Sequence, residues 1–561
     1  MVKRILKSLF YYSIPQLFLF GILLYFGKDY LLYLLCSITQ VTPNDIFYEL
    51  YYYTILFGII FLWGYLFVTT IRNKHYHIKT NRTFITDKND FNKSYYELIK
   101  FFTTNDPYKM DVTELPLENW KSADGVILCK VKDQEGNYRL VKRGSNENGN
   151  LVSFGLPGSG KSTTQAATTA LRFNAKKKKG GCGVFAISIK GDLLNYVDGK
   201  RTNIKLFTPD KEEGSCHYNP LEGVSKMNWT ERRIFAENMA IIICPDEPGD
   251  NSTFFVNGAR DYFAAITLYL LYLHDMESLP GELRFPEIVE KILSSNVFDM
   301  TMEIKNCDNS IPGEYTNGYI GSSEKNVSGI WSHLCKQVRP FNTGALKILF
   351  DGNGDCITPD YLNKGDIYID IPQDKYQVYA PAMAIIITNF LMAFMRRPDV
   401  SSNKKVIPIM FLLDEAVQLN LDFSILSQAM STLRSKKVSL FLLMQSIAQL
   451  EGRYGEAHAR EIIDLCAFIS VFNAQDPKSR EYFQKLIGRR KMLKRSTSLS
   501  SSPNKNDTSG ISVCEVDEYI FEAADFGNLN IKDPKTKEKI YQVLVYANGK
   551  YILGETTLYN Q

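Results

Sequence analysis

Residues 155–162 read Gly-Leu-Pro-Gly-Ser-Gly-Lys-Ser and are followed by Thr163, which satisfies the spacing GxxxxGK[ST] in full. Gly155, Gly158 and Gly160, with Ser159 among them, let backbone N–H groups wrap a chain of phosphates. Lys161 supplies a point charge for the β- and γ-phosphates, Ser162 offers a hydroxyl to Mg²⁺, and Thr163 continues the motif. A second set of groups closes the apolar run Ile407 to Leu413, where Asp414 and Glu415 stand side by side. Asp414 would hold Mg²⁺ through water, and Glu415 would polarise an attacking water as general base. The plain alternative for the pair is a strand that ends in a helix cap and helix-start acids. Gln445 ends the apolar run SLFLLM, where a side-chain amide can sense a γ-phosphate or merely finish a strand. Arg434 lies in the polar run before it and, taken alone, reads as a surface charge. Together these types and spacings describe ATP and Mg²⁺ held for hydrolysis by an activated water.

Such groups need a strand, a loop and a helix to place them. Leu151 to Phe154 is a short apolar strand that runs into the glycine-rich loop, and Thr163 to Phe173 has a helical pattern. Lys176 to Lys179 reads as the solvated end of that helix and leads through Gly180-Gly181 into the buried-strand pattern Val184 to Ile189. Strand, helix, strand is the signature of a parallel sheet in an α/β fold. Upstream, VILCKV, the turn Asp133 to Asn137 and YRLVKR read as a hairpin. Between Asn228 and Asn342 apolar residues recur at three- and four-residue spacing with no strand among them, which predicts an all-α domain inserted into the α/β one. From Val224 to Ala345 there are 10 Lys or Arg against 16 Asp or Glu, so the insert is acidic. GDIYIDIP, the helix YAPAMAIIITNFLMAFMRR, VIPIMFLLDEA, SLFLLMQS and AFISVFNA then resume the α/β texture. Ser496 to Gly510 is the one linker-like stretch.

The whole chain has 561 residues, 45% hydrophobic and 22% charged, which excludes a disordered, collagenous or small disulfide-stapled protein. Lys plus Arg is 65 against 61 Asp plus Glu, and a net charge of +4 over this length names no nucleic-acid or membrane partner. Ten scattered Cys without CxxC pairing, Cys36 aside, point to reduced thiols in a cytosolic body. Two uncharged stretches alter the class. Residues 8–27 and 50–71 are each long enough to cross about 30 Å of hydrocarbon as a helix. Lys3, Arg4 and Lys7 precede the first, and Arg72, Lys74, Lys79 and Arg82 follow the second, so both termini are expected in the cytoplasm. The expected organisation is a membrane anchor over 1–76, a nucleotide-binding domain over 77–223 and 343–561, and the all-α insert over 224–342.

In this order the motifs GLPGSGKST, IKGDLL, YNPLEG, SEKNVSGIWSHL, LLDEAVQL, LRSKKVSLFLLMQSIAQLEGRYG and EYFQKLIG resemble the type IV secretion coupling proteins. These are membrane-anchored conjugative ATPases that pass relaxase-bound DNA or effector proteins to a secretion channel. The resemblance implies a RecA-like P-loop ATPase domain with an inserted all-α domain and two N-terminal transmembrane helices, at the inner (plasma) membrane. It implies a homo-oligomer, a hexameric ring, with Gln445 as γ-phosphate sensor and Arg434 as an arginine finger given to the next subunit. The partners it implies are channel components and a relaxase–DNA complex or effector proteins. It also turns Ser496 to Gly510 into a strand-and-loop region. One departure is Ser188 in Ser188-Ile189-Lys190-Gly191, where the family usually has Asp, so no acidic role is carried over there. Two other readings stay open: a nucleotide-gated docking platform for substrates, and a chromosome-partitioning double-strand DNA translocase, a class that usually carries more spans.

Overall fold

Apolar runs that carry Val, Ile, Leu and Phe without alternation are suited to strands buried on both faces, as in parallel sheets. Such runs form the centre of this protein, which a computed structural model describes over residues 123–556 apart from 134, 178–179, 190–191, 247–251, 401–405, 503–504 and 533–538, together with 77–78 and 109–110. The apolar spans 8–27 and 50–71 lie outside the described residues. The chain divides into two compact units, Met1–Met110 with Gln484–Ile520 and Asp111–Phe483 with Phe521–Gln561.

The larger unit is built on one twelve-stranded sheet. Its strands are β1 (Val126–Lys132), β2 (Tyr138–Arg143), β3 (Asn150–Phe154), β4 (Val184–Ser188), β5 (Ile204–Phe207), β6 (Asp366–Asp370), β7 (Ile409–Leu413), β8 (Val438–Met444), β9 (Cys466–Val471), β10 (Asn530–Lys532), β11 (Lys539–Ala547) and β12 (Lys550–Thr556). Across the sheet the order is β2-β1-β12-β11-β9-β3-β8-β7-β4-β6-β5, with β10 beside β11. The stretch from β9 to β5 is parallel throughout, and the β1–β2 hairpin, β10, β11 and β12 pair antiparallel. Every residue of β3, β4, β7 and β8 is buried.

Helices cover the faces. A π-helical turn, Ser162–Ala166, leads into α1 (Ala167–Arg172), and α2 (Asp192–Val197) follows β4. Between the neighbouring strands β5 and β6 the chain leaves the sheet and forms α3 (Trp229–Ile243), α4 (Ser252–Asp275), α5 (Phe285–Ser294), α6 (Val297–Lys305), α7 (Ser310–Thr316), α8 (Glu324–Val338) and α9 (Gly344–Leu349). Asn228 starts α3 with a reciprocal capping box to Glu231, and Ser323 starts α8 by accepting from the Asn326 N–H. The glycines of α4 and α8 let the two helices approach closely: a Cβ on Gly258 would stand 2.5 Å from Ile330, and one on Gly329 would stand 2.6 Å from Phe255. This packing accounts for the motif SEKNVSGIWSHL, whose Ser caps the helix and whose Gly admits its neighbour.

After β6 come α10 (Tyr376–Met395), α11 (Phe423–Thr432), α12 (Ile447–Tyr454), α13 (Glu456–Asp464) and α14 (Pro477–Ile487). The segment Gln373–Met395 is long and apolar enough to cross a membrane, yet it is mostly buried. Phe390 of α10 lies 5.1 Å from Phe185 of β4, and Phe394 lies 6.0 Å from Phe411 of β7, ring centre to ring centre, so this helix is the lining of the sheet.

One buried ion pair ties the sheet's far side. Arg201 donates to Asp366 through Nε at 2.6 Å and Nη2 at 2.9 Å, and the same carboxylate accepts the Val184 N–H at 2.8 Å. Arg201 also donates to the Phe173 carbonyl at 2.9 Å, joining β4, β6 and the end of α1. Breaking such a pair leaves an uncompensated buried charge, so Asp366→Asn is expected to destabilise the unit by about 3–5 kcal/mol. Urea unfolding followed by circular dichroism checks this, and an unmoved midpoint would show that the pair contributes nothing.

In the smaller unit Arg489–Ser502 and Lys505–Tyr519 form a long antiparallel hairpin, and His77–Ile78 pairs in parallel with Met492 and Leu493. The linker read over Ser496 to Gly510 is therefore corrected to paired strands over its described residues, in agreement with the strands that the family resemblance implied. Ser496 pairs with Ser512 and Thr497 with Ile511, because a Ser- and Thr-rich run satisfies a strand ladder as readily as it does a coil.

Candidate active site

Strands that run parallel bring the loops following them to one edge, where α/β sheets bind their ligands. Here that edge gathers the loop after β3, the carboxylates after β7 and the amide after β8. β3 and β7 are not neighbours; β8 lies between them. The order puts Gln445 between the glycine-rich loop and Asp414-Glu415, a juxtaposition that no local spacing in the sequence encodes.

The loop is tied down at its base. The Gly155 N–H donates to the Met444 carbonyl at 3.1 Å, and the Leu156 N–H donates to the Asn473 carbonyl at 3.2 Å. Gly158 (φ +74°) and Gly160 (φ +102°) are left-handed, a conformation that a side chain would strain. Gly160 also faces the ring of Tyr541 on β11, which a Cβ would approach to 2.6 Å. The Ser159 hydroxyl is buried in the loop's interior without a hydrogen-bond partner. Lys161 is only 4% exposed, and its ammonium donates to the Gly155 carbonyl at 2.5 Å and the Leu156 carbonyl at 3.4 Å. The Thr163 hydroxyl donates to the Gly160 carbonyl at 3.4 Å.

Ser162 and Asp414 meet across the end of β8, with the hydroxyl donating to Asp414 Oδ2 at 3.5 Å. One hydroxyl and one carboxylate are the hard oxygen donors that Mg²⁺ takes. Glu415 adopts φ +50° and ψ +46°, a left-handed conformation that costs a non-glycine residue roughly 1–2 kcal/mol. Strain of this kind clusters at functional sites. Both Glu415 carboxylate oxygens accept from Gln445 Nε2 at 3.1 Å, and Gln445 Oε1 accepts from Gln449 Nε2 at 3.1 Å.

Of the groups expected from the sequence, the structure therefore collects Gly155, Gly158, Ser159, Gly160, Lys161, Ser162, Thr163, Asp414, Glu415 and Gln445 at one edge. Arg434 stands apart. It lies in the 3-10 turn Leu433–Lys436 that precedes β8, is exposed, and makes no salt bridge among the described residues. Seven strand residues separate it from Gln445, a length of about 20 Å at the usual rise. Lys190 and Gly191 of the IKGDLL motif are outside the described residues.

Three residues at the site carry no sequence signal. Asn473 holds the loop through its carbonyl and accepts the Leu529 and Asn530 N–H groups on its side chain at 2.8 Å and 3.0 Å. Tyr541 covers Gly160. Tyr376, the first residue of α10, is buried with its hydroxyl unpaired, and burial first and the Glu415 carboxylate second push its phenol well above the ordinary tyrosine range. Tyr454 is raised to about 12 by burial, while its hydroxyl donates to the Leu421 carbonyl at 3.0 Å.

Residues 109–518 match the family described as Type IV secretory system Conjugative DNA transfer. The chain belongs to that family. Among curated relatives it is 24% identical over 254 residues to the type IV secretion system-coupling protein VirD4 of Bartonella quintana, covering 44% of this chain and 38% of the relative. It is also 24% identical over 340 residues to protein VirD4 of Rhizobium radiobacter, covering 57% of this chain and 46% of the relative. The chain thus matches less than half the length of these relatives. Among solved structures, the unbound bacterial conjugative coupling protein TrwBdeltaN70 aligns with a TM-score of 0.53 at 15% identity, over 73% of this chain and 84% of that one. A structure of plasmid coupling protein TrwB in complex with ADP and Mg²⁺ aligns with a TM-score of 0.52 at 14% identity, over 73% and 85%. The mixed α/β fold of this family member is accordingly that of TrwB.

Proposed function

We propose that this chain is a coupling ATPase for conjugative DNA transfer, which binds ATP with Mg²⁺ and uses hydrolysis to drive or gate passage of its cargo. The observation that carries the reading is the gathering of Ser162, Asp414, Glu415 and Gln445 over the ends of three consecutive strands, β3, β8 and β7, beside the phosphate-cradling loop. The nucleotide complexes of TrwB support the same ligands here, ATP and Mg²⁺.

In this mechanism the loop N–H groups and Lys161 hold the phosphates. Lys161 would exchange the carbonyls of its own loop for phosphate oxygens, which makes its present bonds a resting arrangement. Ser162 and Asp414 would hold Mg²⁺, which when bound neutralises charge on the β- and γ-oxygens. Glu415 accepts the proton of the attacking water, and Gln445 orients that water against the γ-phosphate. Residues 1–76 serve as a two-span anchor in the inner membrane with both termini cytoplasmic. The nucleotide-binding domain spans 77–223 and 343–561, the all-α insert spans 224–342, and the subunits form a hexameric ring facing the secretion channel. The acidic balance of the insert, 10 basic against 16 acidic residues over 224–345, favours protein over bare DNA at that surface. It supports a second reading, a nucleotide-gated docking platform for relaxase or effector proteins. Stimulation of hydrolysis by single-stranded DNA separates the two.

Lys161→Ala tests the nucleotide site. It removes a charge-assisted contact worth about 1.5–3 kcal/mol, so ATP affinity is expected to fall roughly 10- to 150-fold with the circular dichroism unchanged. Equilibrium binding of a fluorescent ATP analogue checks it, and normal affinity would overturn the assignment.

A further inference from the structure

Tyr376 is 6% exposed, and its hydroxyl finds no hydrogen-bond partner. Buried polar groups in folded proteins are overwhelmingly paired, so an orphan of this kind calls for a partner that another state provides. Phe would fill the same space without the cost. The helix that Tyr376 opens, α10, packs against the turn Ala416–Leu419, which starts at the residue after Glu415. Tyr454, the other phenol at this spot, is already committed to the Leu421 carbonyl.

Glu415 is itself engaged. Both carboxylate oxygens accept from Gln445 Nε2, so the carboxylate is clasped to the amide and its remaining lone pairs are not aimed at a γ-phosphate-bound water. Gln445 cannot hold Glu415 in this way and also address a γ-phosphate.

We propose that Tyr376 is a positioning residue for Glu415: when Gln445 turns to the γ-phosphate of bound ATP, the Tyr376 hydroxyl donates to one Glu415 oxygen and leaves the other free to accept from the attacking water. This rests on the hydrolytic reading above. The exchange is purely of hydrogen bonds. Gln445 gives up the carboxylate, Tyr376 gains its missing acceptor, and Glu415 stays aimed. The nucleotide-free site is thereby held idle, and arrival of the γ-phosphate releases the base and fixes its direction in one step.

The test uses the full-length protein in detergent, with Tyr376→Phe, Glu415→Gln and the double variant compared in ATP binding, single-turnover hydrolysis and thermal unfolding. Tyr376→Phe is expected to lower kcat about 10- to 100-fold at unchanged KM, with Tm unchanged or higher because the orphan hydroxyl is gone. In the Glu415→Gln background the Tyr376→Phe change is expected to add nothing. Wild-type hydrolysis with an unaltered kcat in Tyr376→Phe overturns this inference and leaves the ATPase reading standing. A lowered Tm with an equal loss in the Glu415→Gln background also overturns it, because the tyrosine would then be only structural. Absence of hydrolysis in the wild-type protein overturns both.

Discussion

Glu415→Gln is expected to bind ATP and Mg²⁺ as the wild-type protein does and to hydrolyse it about 10²- to 10⁴-fold more slowly. The amide keeps the size and shape of the carboxylate, so neither the left-handed backbone at φ +50° nor the packing of the turn that follows need change. What disappears is the ability to take a proton from water. A glutamine at this position can still accept from Gln445 Nε2 through its carbonyl oxygen, which keeps half of the present clasp. Loss of rate with retained binding is therefore the signature of a missing base, whereas loss of both would mean that Glu415 chiefly supports the site. Binding by a fluorescent analogue and phosphate release in one preparation give the two quantities together. Hydrolysis near the wild-type rate would place the base elsewhere.

How much of this site could be read from the sequence follows from which contacts are local. Gly155 to Thr163 lie on one loop and one helical turn, so their spacing specifies their geometry. Asp414 and Glu415 end an unmistakable apolar strand, and their partnership with the loop follows from the chemistry of phosphate and Mg²⁺. Gln445 was ambiguous because its meaning depends on sheet order. Only when β8 inserts between β3 and β7 does its amide reach Glu415. Tyr376, Asn473 and Tyr541 were silent for the same reason, since each arrives from an element remote in sequence and none belongs to a spacing pattern. The insert's longer helices were legible from their three- and four-residue periodicity, whereas α6 and α7 were not. These are short, and Asn296 and Asn309, which cap them, read equally well as turn residues. The hairpin over 489–519 was hidden by its composition, because a run of serines and threonines leaves no apolar alternation to detect.

Arg434 gives the prediction with the widest consequence, because it makes no salt bridge among the described residues of its own subunit. The residue is exposed at the amino end of β8, whereas Glu415 and Lys161 sit at the carboxyl edge of the sheet. A guanidinium there cannot reach its own γ-phosphate without unfolding the strand. If it acts in hydrolysis it must act on a neighbour, as arginine fingers do when supplied in trans, at a value of about 10³-fold or more in rate. Arg434→Ala is expected to lose that factor in hydrolysis while each subunit still binds ATP normally. Mixing Arg434→Ala with Lys161→Ala subunits is expected to restore part of the activity. Rings assembled from both contain interfaces in which an intact Lys161 on one chain faces an intact Arg434 on the next. Arg434→Lys should rescue little, because an ammonium lacks the planar fork that meets a phosphoryl group with two donors. Rescue on mixing could arise only from a site shared between chains, so it would establish the ring and the finger together. Full activity of Arg434→Ala alone, with no gain on mixing, would return Arg434 to a solvated surface charge and leave hydrolysis complete within one subunit.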